Sequence, residues 1–252
     1  MKANKDLGQH FLKDQNIISK ICSDHSGQSC GILEIGPGPG ILTNVLAKLN
    51  RPYHVIEKDS RFEEILNSIL TPEQITIGDA LDQELLFFDP TWLVSNLPYN
   101  VASPLLVKFL KLKNIKFMTL MFQKEVGNRI LTTDMNSLGA LSQNYFEIST
   151  LCQVPPGAFS PPPKVNSIVL SFKRRENPRV PLKDFEKYEK FLRVLFKMRR
   201  KQMGNVLKSD FEREKVIKAL SDINIKISER AENLTLENVI DLYERLGRPN
   251  GN

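Results

Sequence analysis

Four short apolar runs in the first hundred residues each lead to a glycine or a polar side chain, and this series most constrains the fold. The runs are 32–35, 53–56, 75–77 and 92–94, and they lead to Gly36, Glu57, Asp79 and Asn96. Brief apolar runs separated by longer segments are typical of buried parallel strands with helical crossovers. The carboxyl ends of such strands meet at one edge of a sheet, where ligands bind. We therefore expect Gly36 and Asn96 to face each other across a crevice.

The first run leads into Gly-Pro-Gly-Pro-Gly at residues 36–40, followed by a helix-like stretch at 41–49. A dinucleotide-binding loop would have its third glycine at position 41, where this chain has Ile41, so the phosphate-binding interpretation is weakened. Glycines still allow a ligand to approach the backbone closely, and the start of the next helix favours a carboxylate. These properties suit the methionine end of S-adenosylmethionine.

Two acids at strand ends fit the adenosyl half of the same cofactor. Glu57 follows the second run, at a position where an acid accepts hydrogen bonds from two ribose hydroxyls. Asp79 follows the third run and is able to accept a hydrogen bond from an adenine amine. Together with the glycine loop, these acids predict S-adenosylmethionine as the cofactor.

The fourth run ends in Asn96-Leu97-Pro98-Tyr99, a tetrapeptide suited to holding an amine, which we call the amine clamp. The Asn96 amide oxygen and the Leu97 backbone carbonyl can both accept N–H bonds, which favours a nitrogen with a localised lone pair. Pro98 restricts the backbone before it, and Tyr99 has an aromatic face on which a base can stack. The tetrapeptide alone also fits a strand end before a proline turn. The glycine loop upstream favours methylation of an exocyclic amine.

The composition argues against several other classes of protein. The three cysteines form no C-x-x-C pair, so we expect a reducing compartment and no disulfide framework. The three histidines lack the spacing of metal ligands, and we expect no metal. The sequence has no signal-peptide segment or membrane-length apolar stretch, which predicts a cytoplasmic protein without a membrane partner.

Positive charge is concentrated in the last third of the chain. Residues 1–172 contain 15 Lys and Arg against 16 Asp and Glu, whereas residues 173–252 contain 20 against 13, a net charge of +7. A basic module attached to a near-neutral domain indicates a polyanionic partner. Charged residues and prolines interrupt the pattern at 173–181. We therefore predict a catalytic, cofactor-binding domain at 1–176 and a helical RNA-binding domain at 177–252.

The pattern at 184–203 predicts one helix with an apolar stripe and a basic stripe. A basic stripe is often only a solvated helix face. The dense run Lys-Met-Arg-Arg-Lys favours RNA contact instead, and we assign that contact to Arg199, Arg200 and Lys201. Shorter helices are predicted at 213–222 and, after an N-cap at Thr235, up to residue 246.

Residues 154–165 form a loop with five prolines around Phe159. Prolines stiffen such a loop, so it can hold the aromatic ring in place. An ordinary buried anchor is the other interpretation of Phe159.

Five motifs, in this order along essentially the whole chain, resemble those of the ribosomal RNA adenine dimethyltransferases of the KsgA type. They lie at 6–12, 36–43, 96–99, 123–125 and 159–165. The resemblance implies cofactor contacts at His10, Leu12, Gly36, Glu57, Asp79 and Asn96. It also implies that Phe159 lies over the target base, opposite Tyr99.

The motifs and the resemblance lead us to expect an α/β protein with the class I S-adenosylmethionine-dependent methyltransferase fold. We expect a Rossmann-like, mostly parallel seven-stranded sheet with a late antiparallel strand at 167–172, and a small all-helical C-terminal domain. The expected reaction is direct transfer of two methyl groups to adenine N6 in 16S ribosomal RNA. Asn96 and the Leu97 carbonyl would position the amine, and Tyr99 and Phe159 would hold the base. The expected substrate is an immature 30S particle, bound by a monomer, which implies a role in small-subunit biogenesis.

Other functions share part of this pattern. The large-subunit RNA methyltransferases of macrolide resistance have the same cofactor motifs and a similar clamp, but the triple proline after Ser160 resembles the KsgA type more. A DNA adenine methyltransferase more often has a second proline where this chain has Leu97. A small-molecule or protein-glutamine methyltransferase would leave the +7 segment unexplained, and a role in checking immature subunits is compatible with methylation. Leu138 and Ala140 stand where the family often has an aromatic and a basic residue, which concerns local packing or an RNA contact.

Overall fold

The computed structural model describes residues 4, 8–198 and 201–247. The chain divides into two compact units, residues 1–127 with 147–174, and residues 128–146 with 175–252. The predicted first domain, 1–176, also included residues 128–146, whereas the structure groups this segment with the second unit.

The first unit contains a seven-stranded sheet and a separate two-stranded sheet. In chain order the strands are β1 Phe11–Leu12, β2 Gly31–Ile35, β3 Tyr53–Glu57, β4 Ile75–Ile77, β5 Thr91–Asn96, β6 Ile115–Gln123, β7 Phe146–Val154, β8 Phe159–Ser160 and β9 Ser167–Arg174. β1 pairs with β8, and the large sheet has the order β4-β3-β2-β5-β6-β9-β7. The pairs from β4 to β6 are parallel, and β9 is antiparallel to β6. The predicted seven-stranded sheet with a late antiparallel strand is confirmed.

Ten α-helices lie within the described residues. In chain order they are α1 Gln15–Ser23, α2 Thr43–Leu46, α3 Glu63–Asn67, α4 Ala102–Lys111, α5 Lys124–Leu131, α6 Ser137–Tyr145, α7 Phe185–Leu195, α8 Met203–Leu207, α9 Arg213–Asp222 and α10 Leu236–Leu246. The helix predicted at 41–49 begins only at Thr43 and continues after Leu46 as a 3₁₀ turn. None of the helices in the described part of the chain is long and apolar enough to span a bilayer.

The three central strands β2, β3 and β5 are buried along almost their whole length. Strands buried on both faces have near-continuous apolar sequences, which explains why these runs stand out in the chain. Trp92 in β5 is fully buried, and its Nε1–H donates to Thr119 Oγ1 at 2.9 Å. The indole therefore fills the core without leaving an unpaired donor.

Contacts between residues far apart in sequence join residues 128–146 to the rest of the second unit. The Asn144 side chain donates to the Val180 carbonyl at 2.9 Å and accepts the Val180 N–H at 3.1 Å. The Tyr145 ring stacks on Phe185 with ring centroids 5.3 Å apart. Because the partners are more than thirty residues apart in sequence, a local pattern could not reveal this grouping.

The prediction of a single helix at 184–203 is wrong. α7 ends at Leu195, and α8 begins only at Met203. The Met203 N–H donates to the Glu229 carbonyl at 2.8 Å, and the residue before it forms a β-bridge with Arg230. These backbone pairings require extended chain before α8, so a continuous helix cannot form there.

The two shorter helices predicted for the second unit are confirmed. α9 has the predicted bounds. At the start of α10 the Thr235 hydroxyl accepts the Asn238 N–H at 3.2 Å, which satisfies an N–H that has no partner inside the helix. Gly247 follows the helix with φ of 68°.

A buried carboxyl group joins three elements of the first unit. Glu34 in β2 is 2% exposed, and its Oε2 accepts the Thr43 hydroxyl of α2 at 2.8 Å and the Tyr53 hydroxyl of β3. Burial raises the pKa of Glu34 to about 7, although the two hydroxyl donors act in the opposite direction. The ionised form of this carboxyl is therefore disfavoured in the folded protein.

We predict that Glu34 makes the protein less stable as the pH rises from 4.5 to about 7. In this range the unfolded chain has released the Glu34 proton while the folded protein still holds it, so ionisation costs the folded state roughly 2–3 kcal/mol. Urea unfolding across this range should therefore show Glu34→Gln gaining stability relative to the wild type as the pH rises. A constant difference between the two proteins would contradict the prediction, and exposed Glu64→Gln serves as control.

Candidate active site

A cleft of about 1120 Å³, part of it open to solvent, lies at the carboxyl ends of the central strands of the first unit. β2 and β5 are adjacent and parallel, with Ile35 opposite Ser95, as predicted for the first and fourth runs. Of the nine residues predicted for catalysis and cofactor binding, eight line the cleft: His10, Leu12, Gly36, Glu57, Asp79, Asn96, Leu97 and Tyr99.

The glycine loop after β2 has a backbone that only glycine adopts readily. Gly36, Gly38 and Gly40 have φ angles of 68°, 54° and 78°, in the left-handed region. A Cβ atom at Gly36 would meet no protein atom within 4 Å, so the glycine borders open space in the cleft. The following helix α2 has only four residues, and its start is a weaker attraction for a carboxylate than the sequence predicted.

Glu57 at the end of β3 is 5% exposed and is held by two backbone donors. Its Oε2 accepts the Gly38 N–H at 2.8 Å, and its Oε1 accepts the Asp59 N–H at 2.8 Å. Burial raises the pKa of Glu57, while these N–H bonds oppose the shift. Each oxygen has a second lone pair, so the carboxylate can accept two further donors such as vicinal hydroxyls.

Asp79 follows β4 and forms an ion pair that sequence analysis missed. Its Oδ2 accepts Lys58 Nζ at 2.7 Å, and its Oδ1 accepts the Leu81 N–H at 2.9 Å. The hydrogen bond from Lys58 lowers the pKa of Asp79, which keeps the carboxylate ionised and an acceptor. The sequence signal for this ion pair is the position of Lys58, which directly follows Glu57 at the end of the second predicted strand.

In the amine clamp, a backbone carbonyl orients the Asn96 side chain. Asn96 Nδ2 donates to the His10 carbonyl at 3.0 Å. Among the described residues, no donor is bonded to Asn96 Oδ1 or to the Leu97 carbonyl. The Tyr99 hydroxyl is hydrogen-bonded to Ser167 Oγ at 2.7 Å, which restrains the ring at the cleft. Two acceptors and one aromatic ring therefore lie within residues 96–99, which line the cleft.

The N-terminal strap, residues 8–12, is held at several points along the cleft. Gln9 Nε2 donates to Asp59 Oδ2 at 2.7 Å. His10 Nδ1 is hydrogen-bonded to the Pro161 carbonyl at 2.8 Å, and its ring stacks on Tyr99 with centroids 5.8 Å apart. Neither Gln9 nor Asp59 was predicted from the sequence as a site residue, although Gln9 lies inside the first motif.

Phe159 is the one predicted cleft residue that the structure does not bring to the cleft. It is 1% exposed and belongs to the hydrophobic core. In the β1–β8 pairing Leu12 is opposite Phe159 and Phe11 is opposite Ser160. Successive strand residues point to opposite faces, so Phe159 is turned into the core while Ser160 is exposed. This placement matches the buried-anchor interpretation.

The remaining predicted residues concern RNA contact. Lys201 is exposed in the second unit, and Arg199 and Arg200 lie outside the described residues. Ala140 in α6 is fully buried and Leu138 is half-buried, so the departure at Ala140 from the family pattern concerns packing.

The chain is similar to known proteins over nearly its whole length. A family model described as ribosomal RNA adenine dimethylase matches residues 1–248. A relative from Mycoplasma pneumoniae, ribosomal RNA small subunit methyltransferase A, is 35% identical over 250 residues, which cover 95% of this chain and 93% of the relative. The protein of the same name from Geobacter sulfurreducens is 35% identical over 264 residues, which cover 98% and 96%.

Two solved structures have a similar fold. A dimethyladenosine transferase from Plasmodium falciparum aligns with a TM-score of 0.82 at 24% identity, covering 95% of this chain and 99% of that chain. The 23S rRNA methyltransferase ErmE aligns with a TM-score of 0.73 at 25% identity, covering 94% and 100%. Both alignments include residues of the first unit and of the second unit.

Proposed function

The chain belongs to the ribosomal RNA adenine dimethylase family, and we propose that its cleft transfers methyl groups from S-adenosylmethionine to adenine N6 of small-subunit ribosomal RNA. The observation that carries this assignment is the clamp at the end of β5. Asn96 uses its amide N–H on the His10 carbonyl, which leaves its oxygen and the Leu97 carbonyl as acceptors for an amine. The neighbouring strand β2 ends in the glycine loop, so a methyl donor there lies beside the acceptor.

The residues of the cleft fit S-adenosylmethionine. Gly36 borders open space, Glu57 has free lone pairs for two ribose hydroxyls, and Asp79 is an ionised acceptor for the adenine amine. His10 and Leu12 of the N-terminal strap complete the proposed contacts. When bound, this cofactor supplies a methyl group on a positively charged sulfur.

The clamp residues prepare the acceptor amine for attack. Asn96 Oδ1 and the Leu97 carbonyl accept its two N–H bonds, which localises the nitrogen lone pair and directs it towards the methyl group. The chain forms no covalent bond with the substrate, and alignment of the two reactants contributes several kcal/mol of the acceleration, as an order of magnitude. The displaced proton leaves to solvent. After the first transfer one N–H remains for the clamp, which permits a second.

The RNA and its assembly state are the next part of the proposal. We assign the substrate to adenines of 16S RNA in an immature 30S particle, bound by a monomer of this chain, with Tyr99 stacking on the extruded base. Similarity to ErmE favours large-subunit RNA as the second candidate. Methyl incorporation into immature 30S particles, 23S RNA and duplex DNA distinguishes the candidates, and we expect labelling of the 30S particles alone.

We predict that Asn96→Ala abolishes methyl transfer, a loss of roughly a hundredfold or more. Without the amide oxygen, the amine keeps its delocalised lone pair and is poorly held. Transfer of labelled methyl groups to immature 30S particles is the measurement, with thermal unfolding as a check on folding. Exposed Asn67→Ala controls for the loss of an amide. Near-normal turnover in a folded Asn96→Ala protein would refute the clamp.

We predict that Glu57→Ala weakens cofactor binding by roughly 1–3 kcal/mol, because the ribose hydroxyls lose a charged acceptor. Isothermal titration calorimetry with S-adenosylmethionine measures the effect, and exposed Glu64→Ala is the matched control. RNA binding should remain unchanged. Equal cofactor affinity in wild type and Glu57→Ala would place the ribose elsewhere.

We predict that replacing Arg199, Arg200 and Lys201 with Gln weakens binding to immature 30S particles. If they contact phosphates, the slope of log affinity against log salt should fall by up to about two to three units. Cofactor affinity should be unchanged. In a control protein, three exposed basic residues of α9 are replaced by Gln: Arg213, Lys215 and Lys218. This control tests whether the loss of overall positive charge is enough to weaken binding. Equal losses in both proteins would contradict a localised contact.

A further inference from the structure

The loop between β4 and β5, residues 78–90, has no helix or strand of its own, yet it carries Asp79 and Ala80 into the cleft. A segment without regular structure needs other partners for its backbone groups. One side chain of helix α4 supplies three of them. Lys108 Nζ donates to the carbonyls of Ala80, Leu81 and Gln83 at 2.8, 2.7 and 2.5 Å.

These three bonds use every N–H of the ammonium group. Lys108 is half-buried, and none of its hydrogen bonds in the described residues goes to a carboxylate. Bonds from a charged donor to carbonyls are stronger than neutral ones. Farther along the loop, Asn114 Nδ2 donates to the carbonyls of Leu85 and Phe88, both at 3.0 Å. Lys108 therefore holds the half of the loop that borders the cleft, and Asn114 holds the other half.

Lys108 and Asp79 bind opposite sides of one peptide group. The peptide that joins Ala80 to Leu81 offers its carbonyl to Lys108 and its N–H to Asp79 Oδ1 at 2.9 Å. Asp79 also accepts the Asp82 N–H on its backbone carbonyl at 2.9 Å. An ammonium group bound to the carbonyl oxygen polarises the peptide and strengthens its N–H as a donor. The ammonium thus restrains the turn that orients the Asp79 carboxylate.

We propose that Lys108 is a positioning residue for the adenosyl half of the methyl donor, acting through the Ala80–Leu81 peptide on Asp79. The ligand's identity rests on the function proposed above, but the action of Lys108 on the loop does not. Lys108 lies one turn beyond Leu105, which itself lines the cleft. Helix α4 therefore contributes one side chain to the cleft wall and another that holds the loop of Asp79.

The first experiment uses the cofactor-free protein. Lys108→Met keeps the length of the side chain and removes its donors, Lys108→Arg keeps charge and donors, and exposed Lys48→Met in the same unit is the control. Hydrogen exchange of the peptide that covers residues 79–84 should be faster in Lys108→Met by roughly tenfold or more, since its backbone loses the bonds that order it. The other two variants should exchange close to the wild-type rate. Unchanged exchange in Lys108→Met would overturn the proposal.

The second experiment measures ligand affinity by calorimetry with S-adenosylmethionine and with adenosine. Lys108→Met should weaken both by roughly ten- to a hundredfold, because the adenine amine loses a well-oriented hydrogen bond to a charged acceptor, and Lys108→Arg should recover most of the loss. In turnover assays KM for S-adenosylmethionine should rise while kcat at saturation stays within about twofold. A merely structural role would instead reduce the active fraction and leave KM unchanged.

The outcomes separate this inference from the proposed function. If the wild type binds neither ligand, the proposed function fails while the exchange result still tests the loop. If the wild type binds both ligands and Lys108→Met binds them equally well, the positioning role of Lys108 is refuted. If Lys108→Met does not fold, Lys108→Gln, which keeps an amide donor on a shorter chain, takes its place with the same expected direction of change.

Discussion

The Ser95 hydroxyl donates to the Ile35 carbonyl at 2.7 Å and ties the carboxyl ends of β2 and β5 together. Both strands are buried and run parallel as neighbours, so the glycine loop and the amine clamp leave the sheet side by side. Methyl transfer needs the donor and acceptor atoms in contact and in line. Rigid buried strands provide this positioning better than flexible loops do, and each other element of the cleft adds to this pair.

The N-terminal strap connects the two sides of the cleft. Its Gln9 is bonded to Asp59 just after β3, and its His10 carbonyl orients Asn96 at the end of β5.

Charged residues have different surroundings in the cleft and in the C-terminal part of the chain. In the cleft the Asp79 carboxylate is paired with Lys58, whereas residues 173–252, with a net charge of +7, favour a polyanion. Within the second unit, Arg179 is bound by three acids of α10, so its charge is largely compensated.

The strand ends could be predicted because their signal is local. A buried parallel strand is a continuous apolar run, and the residue after it is free to carry function. Gly36, Glu57, Asp79 and Asn96 were therefore recognised from sequence, and all four line the cleft. The N-cap at Thr235 was predicted for the same reason, since a cap depends on residues within one turn. Lys58 and Gln9 were missed because their partners Asp79 and Asp59 are distant in sequence.

The sequence by itself determined the order of the strands' functional ends, the class of fold and the charge division, because each follows from composition or from neighbouring residues. Only the tertiary structure decided that Phe159 is turned into the core by pairing with β1, and that backbone pairing with Glu229 and Arg230 keeps the helix predicted at 184–203 from continuing to Met203. It also decided that Lys108 holds the loop of Asp79. Each of these depends on contacts between residues far apart in the chain, and such contacts leave no periodic or local trace in the sequence.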